Sequence, residues 1–482
     1  MEKGIDAART TVCAAHYTSG RLGEMKRSVW ICLALSLALV LSACSGGGSS
    51  GGAPAKNYEK VSDMKGTVRI ALAGWQMENG VDTLTGRKTV GFNPFIQDTF
   101  KKMYPSIELK VTQIPWENAL AKQKAMLLSN DVDLLYTGGA YANQFYQQGL
   151  LRDIDDLIAG DSSFDPGIYL EGVFKNSYSV RSLDGMKQFG IPVILGKRMV
   201  VYDKQIFEDW GVEPLSANPT PEEILEKAKK MTGMNPKTGK QNYGLWFSGN
   251  SLNQSTFVSL SYAYDVNGVE GRLDKLRDLT WNLNSPEMAK VMEWFKEAAP
   301  LAPKAFINGQ GAENFGLEDN NIAIAIDSSG GAAFNEYRSS GKAELVDRFV
   351  PVLNMGPNGE GWVAVDPFVM AKNVQDEKAA WEVMKFLTSY DMQRHLYENG
   401  LATPTLKKAD FVDEKDVYTS KAMELADIAR KNLIDEANPF YNTRMVPVIN
   451  GFISQAANGN PTDIGKLLSD LQAEAVKWSA EQ

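Results

Sequence analysis

Residues 107–139, "IELKVTQIPWENALAKQKAMLLSNDVDLLYTGG", contain the alternation that decides the fold. Ile107, Leu109 and Val111 alternate with polar residues, which predicts a strand. The stretch "ENALAKQKAMLLSN" predicts a helix, and "DVDLLYTGG" predicts a buried strand that ends at two glycines. Upstream, "GTVRIALAGW" predicts a first strand and "FNPFIQDTFKKMYPSI" one helix, which Pro105 stops. This order of strands and helices is typical of parallel βαβ units.

Three aromatic residues follow or end the predicted strands of this segment. They are Trp75, Trp116 and Tyr136. In parallel sheets, ligands bind beyond the carboxyl ends of the strands. We therefore expect these three side chains at one edge of a sheet, where a ligand could be held.

The residues before the folded body resemble a lipoprotein signal peptide. Residues 29–43 are uncharged and mostly apolar, Lys26 and Arg27 precede them, and the run is shorter than the roughly 20 residues of a membrane span. The four residues 41–44, "LSAC", resemble the bacterial lipobox, in which the cysteine is acylated after cleavage just before it. We expect residues 1–43 to be an upstream extension with a signal peptide that starts at Met25. Cys44 would carry lipid, and residues 44–57 would form a flexible Gly/Ser tether.

Charge and rare residues narrow the functions of the remaining chain. The net charge of the full chain is −9, and loss of residues 1–43, with five basic and three acidic groups, leaves −11. Such an acidic body has no broad basic surface for nucleic acid. Cys44 and His395 would be its single cysteine and single histidine, so it has no disulfide framework and no paired-histidine zinc motif. We expect no metal and no cofactor, and His395 as a solvated or half-buried helix residue.

The order of several segments resembles the extracellular solute-binding lipoproteins of ABC importers, within the group that binds maltose and other oligosaccharides. The resemblance covers residues 66–478, and its segments include "FGIPVILGKRMVVYDKQIFEDWGVEP", "NIAIAID" and "KAAWEVMKFLTSYDMQRHLYENGLATPT". It implies an α/β, two-lobed fold with ligand held in a cleft between hinge-connected lobes. The N-terminal lobe would comprise residues 58–190 and 350–405, and the C-terminal lobe residues 191–349 and 406–482.

The resemblance also implies further cleft residues. It places Asp327 and Ser328 at the second lobe's cleft edge, where many sugar binders have a tryptophan after a glycine that is missing here. Arg198 lies near the hinge and could donate bidentate bonds to a carboxylated sugar. With the three strand-end aromatics, the predicted ligand-binding residues are Trp75, Trp116, Tyr136, Arg198, Asp327, Ser328, Trp362, Asp366, Tyr441 and Arg444.

The function that follows from the resemblance is binding without chemistry. A monomer, lipid-anchored outside the cytoplasmic membrane, would capture an oligosaccharide and deliver it to the permease of an ABC transporter. Two alternatives stay open: the same fold binding a peptide or polyamine, and a surface glycoside hydrolase or lyase, which needs two carboxylates near a sugar. Asp153, Asp155 and Asp156 are interpreted as the capped, acidic start of a helix rather than as catalytic carboxylates.

Overall fold

The computed structural model describes residues 58–82, 86–248, 256–428 and 438–482. Asn57–Gln482 form one compact unit. The predicted signal peptide, Cys44 and the tether lie outside the described residues. None of the helices in the described ranges is long and apolar enough to cross a membrane.

Fourteen strands occur in the described part of the chain, numbered here in order. They are β1 (Gly66–Ala73), β2 (Gly80–Val81), β3 (Lys88–Thr89), β4 (Ile107–Ile114), β5 (Leu134–Tyr136), β6 (Gly190–Leu195), β7 (Met199–Asp203), β8 (Gly233–Met234), β9 (Gln241–Trp246), β10 (Val269–Glu270), β11 (Thr280–Trp281), β12 (Ile322–Ser328), β13 (Phe349–Val352) and β14 (Val365–Met370).

The α-helices of the same residues separate most of these strands. They are α1 (Phe92–Asp98), α2 (Phe100–Met103), α3 (Ala119–Leu128), α4 (Gly139–Gln147), α5 (Asp155–Gly160), α6 (Glu171–Phe174), α7 (Lys204–Trp210), α8 (Pro221–Lys230), α9 (Val258–Ala263), α10 (Pro286–Ala298), α11 (Gly331–Ser340), α12 (Ala343–Arg348), α13 (Glu377–Leu387), α14 (Tyr390–Gly400), α15 (Val417–Ile428), α16 (Val446–Ala457) and α17 (Ile464–Ala480). A π-helical turn, Tyr441–Met445, precedes α16.

The first lobe is built on a five-stranded sheet in the order β4-β1-β5-β14-β6. β1 pairs in parallel with both β4 and β5, which confirms the predicted βαβ units. β14 pairs antiparallel with β5 and with β6. The predicted single helix after β1 is wrong, because Thr99 leaves helical geometry between α1 and α2 and its hydroxyl donates to the Phe95 carbonyl at 2.6 Å. Such back-bonding competes with the helical ladder.

The second lobe contains the other five-stranded sheet, in the order β13-β7-β12-β9-β8. β12 pairs in parallel with β9 and antiparallel with β7, with a bulge between Ala325 and Ser328. The predicted borders between the lobes move by several residues. β6 pairs in the first sheet and β13 in the second, so the chain crosses after Leu195 and returns after Val352.

The third crossing lies between residues 407 and 417. The predicted border after residue 405 moves because Leu406 still belongs to the core of the first lobe. Beyond it, Tyr418 on α15 belongs to the core of the second lobe. Ala426, near the end of α15, joins Val173 and Leu195 in a small apolar cluster. α15 therefore contacts both lobes beside the crossing segments.

Gly244 fixes how closely α8 packs on the second sheet, and its replacement by alanine tests that packing. A Cβ at Gly244 would fall inside van der Waals contact of the Ala228 carbonyl oxygen. We expect Gly244→Ala to lower the free energy of unfolding by about 2–3 kcal/mol, because backbone has to move. Gly451→Ala is the matched control, since Gly451 lies inside α16 with open space around it; it should raise that free energy by up to about 1 kcal/mol. Urea unfolding measures both, and equal midpoints for the two variants would contradict the packing.

Candidate functional site

The parallel strands of the first lobe bring the three predicted aromatic residues to one edge of the sheet. Ala73 on β1 is opposite Ile114 on β4, and Leu72 is opposite Tyr136 on β5. Trp75, Trp116 and Tyr136 consequently line one cavity of about 230 Å³, here called the aromatic cavity. Its other lining residues include Gly74, Ile194, His395, Asn399 and Ala402.

The three rings are not equally available to a ligand. The Tyr136 ring packs edge-on against Trp75 and Trp116, with centroids 5.1 and 5.8 Å away. Trp75 and Tyr136 are only 6% and 3% exposed and belong to the first lobe's core, whereas Trp116 is 40% exposed. Trp116 thus offers the open indole surface, the Tyr136 ring packs against it, and Trp75 packs in turn against Tyr136.

Gly74 is needed for Trp116 to lie where it does. Its φ is +72°, a left-handed conformation that side chains rarely adopt. A Cβ at this position would overlap the Trp116 indole. The turn after β1 therefore gives Trp116 room to close one side of the aromatic cavity.

Half-buried Asp366 and buried Tyr136 form a polar pair next to the aromatic cavity. The Tyr136 hydroxyl donates to Asp366 Oδ2 at 3.1 Å, and the Gly139 amide also donates to this carboxyl group. Burial raises the pKa of Asp366 to about 7, although both hydrogen bonds oppose the rise. Burial, together with the Asp366 charge, also raises the pKa of Tyr136. Near neutral pH, Asp366 is thus present in both protonation states and can donate or accept a hydrogen bond.

His395 lies in the same cavity and is more buried than predicted. It is 8% exposed, and its ring stacks on Phe95 with centroids 4.0 Å apart. Asn399 Nδ2 lies 3.2 Å from His395 Nδ1. Burial lowers the pKa of His395 to about 4, so the ring is neutral at physiological pH. His395 therefore adds a neutral polar wall to the cavity.

The second lobe carries another cavity of about 450 Å³, here called the basic cavity. Arg198, Asp327 and Ser328, all predicted, line it, together with Lys197, Trp246 and Phe315 and the start of α11. Asp327 sits in the β12 bulge with a φ of +62°, and its Oδ2 accepts a hydrogen bond from the Thr256 hydroxyl at 2.7 Å. Ser328 and Ser329 hydroxyls accept from the Gly330 and Gly331 amides at 3.2 and 3.3 Å.

The two cavities meet at the crossing segments. Ile194, in β6, lines the aromatic cavity, and Gly196, just beyond it, lines the basic cavity. Lys197 Nζ donates to the Leu401 carbonyl at 2.9 Å, while the neighbouring Ala402 lines the aromatic cavity. The cavities are consequently adjacent parts of one region at the hinge between the lobes.

Four predicted residues line neither cavity: Asp366, which lies beside the aromatic cavity, and three others. Tyr441 is 1% exposed and packs against Phe257 in the second lobe's core, because the π-helical turn directs it inward. Arg444 is exposed and forms an ion pair with Glu474 on α17 at 3.6 Å. Trp362 is half-buried in the segment before β14. The Tyr441 ring is enclosed by protein in this structure, and its predicted cleft contact stays a prediction.

Trp246 lines the basic cavity although it is not among the predicted ligand-binding residues. Trp246 is the last residue of β9, which runs parallel to β12. It therefore lies at the carboxyl end of a parallel strand, as the aromatic residues of the first lobe do. Its Nε1 donates to the Gln310 carbonyl at 2.9 Å and its ring lines the basic cavity.

In the parts of the chain that the structure describes, no group of three or more His, Cys, Asp or Glu residues could hold a metal ion.

Known proteins share this architecture. The sequence model described as bacterial extracellular solute-binding protein matches residues 85–394. A Brucella abortus binding protein is 25% identical over 375 residues, or 76% of this chain and 82% of that protein. The sugar-binding protein MalE of Xanthomonas citri superposes with a TM-score of 0.66 at 16% identity, over 86% of this chain and 98% of that one. An Agrobacterium vitis ABC transporter solute-binding protein with bound D-mannitol superposes with a TM-score of 0.60 at 18% identity. The superposition covers 86% of this chain and 98% of that one. These structural likenesses show the two-lobed fold.

The raised pKa of Asp366 predicts a specific pH dependence of stability. Its folded-state pKa of about 7 exceeds the ordinary value of 3.8. The proton is therefore held more tightly in the folded state, and this stabilisation is complete below pH 4 and lost as the pH rises towards 7. Relative to Asp366→Asn, the wild type should lose up to about 4 kcal/mol across this range and then level off.

Urea unfolding at several pH values measures this difference. Asp98→Asn is the control for removal of a carboxyl group, because the Asp98 side chain is 79% exposed on α1. A wild-type stability that stays parallel to that of Asp366→Asn between pH 4 and 7 would show that the carboxyl is ionised throughout.

Proposed function

Because the chain belongs to the family of bacterial extracellular solute-binding proteins, we propose that it captures an oligosaccharide between its lobes and delivers it to the permease of an ABC transporter. The proposed action is binding, without bond breaking. The solute reaches the open site, both lobes contact it, and lobe closure about the crossing segments completes the enclosure.

The observation that carries the proposal is the arrangement of Trp116 over Tyr136 and Asp366. A sugar ring has an apolar C–H face bordered by hydroxyl groups. The exposed Trp116 indole suits the apolar face. Asp366, with a pKa of about 7, suits a hydroxyl as either donor or acceptor. An aromatic surface beside one convergent polar group is the usual form of a small-molecule site.

The relatives support a sugar as the class of solute. The Xanthomonas citri protein is a sugar-binding protein, and the Agrobacterium vitis protein holds D-mannitol. A polyamine fits this chain less well, because Lys197 and Arg198 line the basic cavity and would repel another cation.

Replacement of Trp116 tests the sugar site. We expect Trp116→Ala to weaken oligosaccharide binding about tenfold or more, equal to about 1.4 kcal/mol, because the stacking surface is lost. Isothermal titration of the full chain in mild detergent, after a thermal-shift screen of oligosaccharides, peptides and polyamines, measures the affinity. A ligand at 100 times its dissociation constant stabilises by about 2.7 kcal/mol and is readily detected.

Tyr390→Ala is the matched control, because Tyr390 is an exposed aromatic residue at the start of α14, outside both cavities. It should bind like the wild type. Stabilisation by a peptide or polyamine with no response to any oligosaccharide would overturn the sugar assignment. Cleavage of the bound oligosaccharide during incubation would instead support the hydrolase alternative.

We further propose that the mature protein is anchored outside the cytoplasmic membrane through lipid on Cys44. The support is the sequence alone: a basic flank, an apolar run and the lipobox-like residues 41–44. Buried acyl carbons contribute about 0.8 kcal/mol each, and stable residence takes more than one chain, so a multiply acylated cysteine suits this role.

Replacement of Cys44 tests the anchor. In a bacterial host fed labelled palmitate, the wild type should carry label and sediment with membranes, whereas Cys44→Ser should carry none. Cys32→Ser, inside the predicted signal peptide, is the control and should label normally. An unlabelled wild-type protein that still matures would contradict the lipid anchor.

A further inference from the structure

The hinge side of the basic cavity has a local charge opposite to that of the whole chain. The chain carries a net charge of −9, yet Lys197 and Arg198 are adjacent lining residues. Burial lowers the pKa of Lys197 most, Asp416 raises it, and Arg338, on α11, is near enough to lower it by a smaller amount. Three cations therefore lie close together in an otherwise acidic protein.

Arg198 differs from most arginines in having no carboxylate partner. Within the described ranges, Arg198 forms no ion pair; its Nη1 donates to the backbone carbonyl of Asp327 at 3.3 Å. Other arginines pair with carboxylates, namely Arg69, Arg152, Arg272, Arg348, Arg394 and Arg444. A neutral carbonyl orients the Arg198 guanidinium without neutralising it, and the side chain is exposed to the cavity.

The neighbouring carboxylates are engaged by groups other than Arg198. Asp416 lies 3.9 Å from Lys197 Nζ and is shared with Tyr397 and Thr419. Asp327 accepts a hydrogen bond from buried Thr256 and is itself buried. Arg338 donates to the Glu398 backbone carbonyl at 3.4 Å. Both carboxylates therefore have partners other than Arg198, which leaves Arg198 as an exposed cation on the cavity wall.

We propose that the solute is an oligosaccharide or sugar that carries an anionic group, a carboxylate or a phosphate, and that Arg198 binds this group. The inference rests on the proposed function and narrows its substrate class. A guanidinium binds either anion through two parallel N–H donors. The cavity, about 450 Å³, also has Trp246 and Phe315 on its walls. The Trp246 Nε1 is already bonded to Gln310, so its ring contributes apolar surface to a sugar ring beside the anion.

Binding of three probes to the full chain in mild detergent tests this inference. They are a neutral trisaccharide, a tri-uronide and a hexose phosphate, the last two separating carboxylate from phosphate. We expect one anionic probe to bind at least tenfold more tightly than the neutral one at low salt, and to weaken as salt rises. Arg198→Gln should lower that affinity at least tenfold and change the neutral probe less than twofold, while Arg198→Lys retains part of it.

Arg272→Gln is the matched control, since Arg272 pairs with Asp274 on the surface of the second lobe. It should bind every probe like the wild type. A neutral sugar that binds as tightly as both anionic probes, or an equal loss for all probes in Arg198→Gln, would overturn this inference and leave the proposed function standing. Binding of no sugar by the wild type would overturn the proposed function as well.

Discussion

The insertion of β14 between β5 and β6 is the constraint on which the fold and the site both depend. β14 follows the whole second sheet in the chain, yet it pairs antiparallel with two strands of the first sheet. The chain must therefore leave the first lobe and return to it. The same pairing places Asp366 beside Tyr136, 230 residues away in sequence, where burial raises the pKa of the carboxyl to about 7. The polar pair beside the aromatic cavity is therefore a consequence of this topology.

The crossing segments join the two cavities and carry their own polar contacts. Lys197, with an 11% exposed side chain, bonds to the Leu401 carbonyl and lies near Asp416, so two crossings are linked by one ammonium group. Arg338 from the second lobe and Arg87 from the first both donate to the Glu398 carbonyl near the end of α14. Ligand groups held by Trp116 and by Arg198 would thus sit on either side of a hinge that these contacts organise. Lobe closure would bring the two sets of groups onto one solute.

The sequence predicts correctly that the three first-lobe aromatic residues lie at one edge of the sheet, because strand order alone determines this; their role in ligand binding stays a prediction. Parallel strands end at one edge, so Trp75, Trp116 and Tyr136 had to meet there. The three rings differ in how deeply they are buried, and the hydrophobic periodicity of the sequence does not predict that difference. Tyr441 shows the limit: it begins a π-helical turn and packs against Phe257 in the core, a burial that its sequence position did not indicate. The break at Thr99 depends on one side-chain hydrogen bond, and the pairing of Tyr136 with Asp366 depends on long-range topology.

A crystal structure with a bound sugar, chosen as the one that gives the largest thermal shift, tests the central claim most directly. The account predicts electron density for one ligand that touches the Trp116 indole and Asp366 on the first lobe and Arg198 on the second. A ligand that lies elsewhere on the surface, or that touches one lobe alone while the other remains apart, would contradict it.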